Sequence, residues 1–362
     1  MRRLGQLIVV LVFTIAALAV GYGPHATADP GAPHIFVIQL ENKGYDETWG
    51  PASAAPYLSK TLRSEGVLLS QYYGIGHNSL DNYIAQLSGQ GPNAETQADC
   101  QIYSDFAGAG TVPPGQAVGQ GCVYPASVPT LAGQLTGAGR SWKGYMEDMG
   151  TPCRHPALNS QDTTQKATAA SQYAARHNPF VYFHEIIDSP ACQQQVVDLG
   201  ALKSDLAQPD TTPNFAYITP DLCDDGHDSP CVTGAPGGLA SADLWLREWV
   251  PVITSAPAFQ QNGILIITFD ESDGPQQDSS ACCGEGPGPD SALPGITGLG
   301  GGRVGALVIS PRSVTPGTFS DTPYNHYSLL ASIEDRFGLP YLGYAAAPGL
   351  PRFGTEVFNR RN

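Results

Sequence analysis

Four short apolar runs, each stopping at polar or turn-forming residues, constrain this chain more than any other feature. They cover 34–40, 214–218, 263–269 and 304–309, and are followed by Glu41-Asn42, Thr219-Pro220-Asp221, Asp270-Glu271 and Ser310-Pro311. Runs this apolar and β-branched read as strands buried on both faces, the mark of a mostly parallel sheet clad in helices. Helices are expected over 56–65, 80–87, 128–135, 241–255 and 326–337, which makes an α/β domain. The stretches 89–127 and 272–302, rich in Gly, Pro, Ser and Gln, read as long surface loops pinned by their cysteines. Ligands of open parallel sheets bind beyond the carboxyl ends of strands, so the acids and amides at these ends stand where a site belongs.

The chain starts Met1-Arg2-Arg3, runs apolar from 7 to 20 and reaches Ala26-Thr27-Ala28 before Asp29-Pro30. That is the pattern of a signal peptide over 1–28, leaving a single secreted domain over 29–362. Leu4-Gly5-Gln6 follows the two arginines poorly for the twin-arginine route, and the export route stays open. Losing Arg2 and Arg3 and no acid takes the formal charge from −15 to −17. Such acidity opposes binding to nucleic acid, and no later run is long and apolar enough for a stable membrane anchor after processing. Eight cysteines in an exported chain imply disulfides. No Cys-x-x-Cys pair is present, and spacing alone does not fix the pairing. Local closure nominates Cys100 with Cys122, Cys153 with Cys192 and Cys223 with Cys231. That leaves Cys282 and Cys283, adjacent in the chain, whose mutual bond would be strained.

The segment Gly74-Ile-Gly-His-Asn-Ser-Leu-Asp-Asn-Tyr-Ile-Ala-Gln-Leu-Ser-Gly89 places Ser79 where a helix N-cap belongs, with Gly89 as the stop. A hydroxyl there lies at the positive end of a helix dipole, which also attracts a phosphate dianion. Taken alone, the serine reads equally well as a plain cap. Glu41, Asp270 and Glu271, at strand ends, would converge with it. Like charges so placed call for a divalent cation, which would also lower the serine pKa for nucleophilic attack. Asp221 to Asp228 holds four acids and His227 in eight residues. With His326, Asp221 and His227 form a candidate second metal or phosphate site, and His227 suits proton transfer. The plain reading there is an acidic loop, with Asp224, Asp225 and Asp228 solvated and His326 a cap or packing residue. Asn42, His77 and His177 are candidates for holding substrate. The aromatic pairs Tyr72-Tyr73, Trp142/Tyr145 and Tyr324/Tyr327 read as core before cleft.

With these residues in view, the chain resembles the bacterial phosphoesterase family of secreted acid phosphatases and phospholipases C, within the alkaline phosphatase-like superfamily. The marks run in order: Leu40-Glu-Asn-Lys-Gly-Tyr-Asp46, His77-Asn-Ser-Leu-Asp-Asn-Tyr83, Trp142-Lys-Gly-Tyr-Met-Glu147, His177-Asn-Pro-Phe180, Thr219-Pro-Asp-Leu-Cys-Asp-Asp-Gly-His-Asp228, Thr268-Phe-Asp-Glu271, Ile309-Ser-Pro311 and the helix from His326 to Leu339. The resemblance implies an α/β/α sandwich with a mostly parallel central sheet and long disulfide-pinned loops. It also implies metal and nucleophile positions at Glu41, Asn42, Ser79, Asp270 and Glu271. Asp81 departs from the family's Ser-x-Pro-Asn-Tyr pattern. A sulfatase-like site would need C/S-x-P-x-R, which Ser79-Leu-Asp-Asn-Tyr83 is not.

The expected protein is an acid phosphatase-like phosphoric ester hydrolase that cleaves small phosphorylated substrates through a phosphoserine at Ser79, with His227 as proton carrier. A divalent metal ion (zinc, calcium, magnesium or manganese) would sit on Glu41, Ser79, Asp270 and Glu271, an all-oxygen set suited to a cation harder than zinc. One alternative is a phospholipase C-type phosphodiesterase, disfavoured by the absence of extra C-terminal modules and of a basic amphipathic helix. The other is a non-catalytic secreted calcium-binding module, for which Ser79 and Asn42 would be superfluous.

Overall fold

The computed structural model describes residues 31–360, so the expected signal peptide lies outside them. Eight strands form one sheet: β1 (His34–Leu40), β2 (Val67–Leu69), β3 (Trp142–Met146), β4 (Val196–Asp198), β5 (Phe215–Thr219), β6 (Gly263–Phe269), β7 (Ala306–Ile309) and β8 (Thr318–Ser320), in the order β8-β2-β7-β6-β1-β5-β3-β4. β7 is antiparallel to both its neighbours, and every other pair is parallel. The principal helices are α1 (Ser79–Ser88), α2 (Gly238–Thr254), α3 (Pro257–Asn262) and α4 (His326–Phe337).

β1 is buried at all seven positions because both sheet faces are covered. Val37 pairs with Tyr217, so Phe36 and Tyr217 point to opposite faces. Phe36 meets Phe259 of α3, while Tyr217 meets Tyr83 and Gln86 of α1, and α4 packs beside α1. The α/β/α sandwich follows from that alternation. Tyr72, Trp142, Tyr145, Tyr324 and Tyr327 are all core residues.

The expected strands 34–40 and 263–269 and the helix 326–337 match to the residue, and 214–218 is shifted by one. The run 304–309 does form a strand, but a reversed one. Ala306 pairs with Thr268 and Ile309 with Leu265, so Ser310-Pro311 emerges at the edge opposite Asp270 and cannot join a site there. An apolar run carries no mark of strand direction. The helix expected over 56–65 is a π turn, Tyr57–Thr61, running into a 3-10 turn, Leu62–Glu65. That over 128–135 starts later, at Leu131, where the Thr130 side chain accepts from Gly133 N.

All three nominated disulfides form, and Cys282 bonds Cys283. The stretch 89–127 is more than a loop: it carries a hairpin, Ala107–Val112 with Gln116–Gln120, beside the Cys100–Cys122 bond. The stretch 272–302 has no helix or strand, and its vicinal disulfide cannot pin it elsewhere. Hydrogen bonds hold it instead, such as Gly301 N to Gly74 O and Ser272 N to Gly301 O. Among the described residues, no helix is long and apolar enough to cross a membrane.

Candidate active site

Leu40 pairs with Phe269 across two central parallel strands, so Glu41 and Asp270 leave the sheet side by side. Both are fully buried. Asn42 turns at φ 55°, and its N–H donates to Asp270 Oδ1 at 2.9 Å, which also accepts from Glu271 N at 2.7 Å. Asp270 Oδ2, sealed from solvent, has no hydrogen-bond partner.

α1 delivers Ser79 to this pair, although Ser79 is not the cap. Asn78 takes the N-cap position at φ 68° and Ser79 is the first helical residue. The serine Oγ donates to Glu41 Oε2 at 2.7 Å. The same oxygen accepts from Asn42 Nδ2 at 2.8 Å, and Glu41 Oε1 accepts from Tyr83 OH at 2.5 Å. The first turn of α1 is not an open anion cradle either: Leu80 N donates to Asp99 Oδ1 at 3.0 Å. Asp99 is in turn 3.6 Å from Arg176 Nε.

On the other side of Glu41 stands His177, its Nε2 3.3 Å from Glu41 Oε2 and its Nδ1 3.0 Å from Asp225 Oδ2. The imidazole stacks flat on Tyr83, centroids 5.4 Å apart. Glu41, His177 and Asp225 bring their ligand atoms within 4.8 Å of one another, all buried. Asp225 and Tyr83 are the residues that sequence reasoning passed over. Asp225 lay in a run of acids that reads as solvated, yet it is fully buried, and Glu41 N donates to its carbonyl at 2.9 Å. Tyr83 stood within the quoted His77-to-Tyr83 segment, at the i+4 position that shares a helix face with Ser79.

The remaining candidates scatter. Glu271 Oε2 bonds His77 Nδ1 and accepts from Asn78 N at 3.2 Å. His77, fully buried with Nε2 on Asp278 O at 2.8 Å, is thus a brace for Glu271 rather than a group facing solvent. His326 is spent on Asp270 O at 2.6 Å and Tyr72 OH at 3.0 Å. Asp221 accepts from Cys223 N and Gln172 Nε2 and clusters with Glu147 and Asp224. Asp221, His227 and His326 therefore do not assemble into one second site: Asp221 and His227 share the loop after β5 but bond different partners, and His326 opens α4 with its ring on Asp270 O and Tyr72. His227 lies near the cluster, its ring centroid 5.8 Å from that of His177. It bonds Asp228 Oδ1 at 2.8 Å through Nδ1 and accepts from Arg176 Nη2 at 3.1 Å at Nε2, and about a third of its side chain is exposed. Asp81, where the family pattern has proline, is buried against Gly76 with neither oxygen hydrogen-bonded.

The electrostatics follow from burial. Desolvation, then the charges of Asp270 and Asp225, push the Glu41 carboxyl well above its usual range. Burial pushes Asp270 up to about 6, and Asp225 and Glu271 upward as well. Burial, with Arg176 and His227 adding to it, holds His177 well below the ordinary imidazole range. Buried carboxylates at such density need protons or a cation. The unpartnered Asp270 Oδ2 and the neutral imidazole of His177 fit a metal ion. The residues able to hold one are Glu41 with Ser79 and Asp270 on one side, and with His177 and Asp225 on the other.

The sequence profile of the Phosphoesterase family matches residues 51–340. The chain is 27% identical over 308 residues to an acid phosphatase of Aspergillus fumigatus and 27% identical over 328 residues to a phosphate-repressible acid phosphatase of Penicillium chrysogenum. These alignments take in 85% and 90% of this chain but 55% and 64% of the fungal proteins. A phosphatidylinositol-3-phosphatase of Mycobacterium tuberculosis is 24% identical over 340 residues, covering 93% of this chain and 88% of that protein. The relatives are thus fungal as well as bacterial. Among solved structures, a Bacteroides thetaiotaomicron protein of a glycosaminoglycan-metabolising locus superimposes with TM-score 0.50 at 13% identity, over 91% of this chain and 82% of that one. A Vibrio parahaemolyticus protein of the alkaline phosphatase superfamily gives TM-score 0.48 at 12% identity, over 85% and 67%.

Proposed function

The chain belongs to the Phosphoesterase family, and from that premise we propose that it is a secreted, metal-dependent phosphomonoesterase of the acid phosphatase type with Ser79 as nucleophile. One observation carries the reading: the Ser79 hydroxyl, at the first helical position and not at the N-cap, donates to Glu41 inside a buried carboxylate cluster. The relatives' names, acid phosphatase and phosphatidylinositol-3-phosphatase, support monoesters over diesters. Four disulfides support an oxidising compartment.

Glu41 aligns Ser79 Oγ and is placed to receive its proton. Half-buried Asn42, whose amide nitrogen donates one hydrogen to Glu41 Oε2, has a second that would hold a phosphoryl oxygen. A bound divalent metal would supply positive charge for the serine alkoxide and the transferring phosphoryl group. The imidazole of His177 in the donor set moves the preference from a hard cation toward zinc or manganese. His227, its proton affinity lowered by burial and Arg176 and about a third of its side chain exposed, would protonate the leaving alcohol once its Nε2 is released from the Arg176 guanidinium. Below that lowered pKa it carries the proton, which favours turnover at acid pH.

The test combines substrate ratio and trapping. p-Nitrophenyl phosphate should exceed p-nitrophenylphosphorylcholine by about tenfold or more in kcat/KM. Acid-quenched turnover should leave phosphate on the peptide holding Ser79. Asp270→Asn should lower metal content and turnover together, with partial recovery in excess cation. Equal ratios would promote the phospholipase reading, and a label on another peptide would remove Ser79 from the mechanism.

A further inference from the structure

A cavity of about 170 Å³ lies against the 272–302 loop and shares no lining residue with Glu41, Ser79, Asp270 or His177. Its walls are largely apolar. Tyr327 of α4 and Tyr344 meet edge to face, centroids 5.3 Å apart, and Pro294, Leu299 and Leu350 help to close it. Glu285 is the one charged residue in the lining. One of its oxygens accepts from Asn325 Nδ2, and the other is sealed from solvent without a hydrogen-bond partner. Asn325 cannot swing round to serve both, because its Oδ1 caps α4 through Ser328 N at 2.9 Å. Burial pushes the Glu285 carboxyl well above the usual range, as expected of an acid with no cation beside it.

We propose that this cavity is a binding site for a small organic amine, with the ammonium on Glu285 and the tyrosine rings and the carbon skeleton against the prolines and leucines. With the Glu285 carboxylate turned from its sealed position toward the cavity, an ammonium would supply the donors that the unpartnered oxygen lacks, and it is attracted to tyrosine faces. The apolar walls take the rest of the molecule. An anion would meet Glu285 with no compensating cation in the lining, and a polyol would leave its hydroxyls against apolar walls. The space is below the roughly 300 Å³ at which pockets for drug-sized ligands begin, and suits a molecule the size of tyramine.

Isothermal titration of the full chain tests this with three probes that share one ring: tyramine, neutral p-cresol and anionic 4-hydroxyphenylacetate. Tyramine should bind at one per chain, about tenfold tighter than p-cresol, as a desolvated cation beside an aromatic face and a carboxylate predicts. The anion should not bind. Saturating inorganic phosphate should leave tyramine binding unchanged, which separates this site from the catalytic cluster. Leu350→Trp, which fills the cavity from its rim, should abolish binding while turnover of p-nitrophenyl phosphate stays normal and certifies the fold. Glu285→Gln should reduce the preference for tyramine over p-cresol to within about twofold. No tyramine binding by wild-type protein, equal affinity for all three probes, or tyramine binding that survives Leu350→Trp would each overturn the proposal.

Discussion

α1 and α4 are neighbours built to one plan, and they differ where they begin. Each follows an asparagine, each ends at a glycine in the left-handed region (Gly89 at φ 67°, Gly338 at φ 66°), and each brings its first residue to the end of a central strand, Ser79 to Glu41 and His326 to Asp270 O. α4 starts conventionally: Asn325 is extended at φ −142° and its side chain caps Ser328 N. α1 does not. Asn78 stands at φ 68° and ψ 147°, a conformation that costs a non-glycine residue about 1–3 kcal/mol. Its side chain goes to Gln97 O, and the helix is capped from outside by Asp99. The start of α4 is set by local preference, whereas the start of α1 is bent to fit the carboxylate cluster, leaving the Ser79 hydroxyl free for Glu41.

The largest effect should come from Ser79→Ala. If the hydroxyl serves chemistry and not the cap, kcat should fall about 10³-fold, since the covalent intermediate is lost. Stability should change by less than about 0.5 kcal/mol, well under the loss of a true N-cap. Steady-state kinetics and urea melts on the same preparation decide it. A loss of about 1 kcal/mol with near-normal kcat would make α1 an ordinary capped helix like α4.

Asp99→Ala comes next. It removes the outside cap, leaves the Arg176 guanidinium without its carboxylate and puts alanine at φ 55°, which together should cost about 2 kcal/mol. With the serine less well held, turnover should drop by roughly tenfold, or about 1.4 kcal/mol. Asn325→Ala in α4 should cost the cap, about 1 kcal/mol, together with the donor that Glu285 loses, with turnover near wild type. If the two variants lost turnover equally, the contrast between the helix starts would collapse.

That contrast also marks where sequence reasoning ends. The α4 helix was legible to the residue because Asn325, the apolar spacing and Gly338 all act locally. β1 and β6 were legible for the same reason, as largely apolar, β-branched runs with polar stops. The position of Ser79 was legible; its geometry was not, since Asn78 is held at positive φ by Glu271 and Gln97, which are distant in the chain or on another element. β2, β4 and β8 have three residues each, too few to show a period, and the reversal of β7 is a property of topology. Asp225 hid among acids because burial depends on what the Cys223–Cys231 loop folds against. His177 read as a substrate contact because nothing near it in sequence announces Glu41.

The smallest effect on turnover should come from Glu334→Gln, which probes α4 at its other end. Glu334 is fully buried in the last turn, Oε1 accepting from Leu342 N at 3.0 Å and Oε2 with no partner. Burial pushes its carboxyl up to about 9, and an acid at a helix C-terminus gains nothing from the dipole. Its proton is therefore held in the folded state across the range in which the unfolded chain releases it. From about pH 4.5, the ordinary value, toward about 9, the unfolded state ionises first, so wild-type stability falls as pH rises through that window. Glutamine keeps the oxygen that Leu342 needs and cannot ionise. The variant should match wild type near pH 4.5 and exceed it by about 1 kcal/mol or more at pH 8, with kcat unchanged. Urea midpoints at the two pH values measure this directly. A variant uniformly weaker at both would mean that Glu334 is ionised and paired in the folded protein, and that α4 depends at its end, as α1 does at its start, on a charge placed against its own helix.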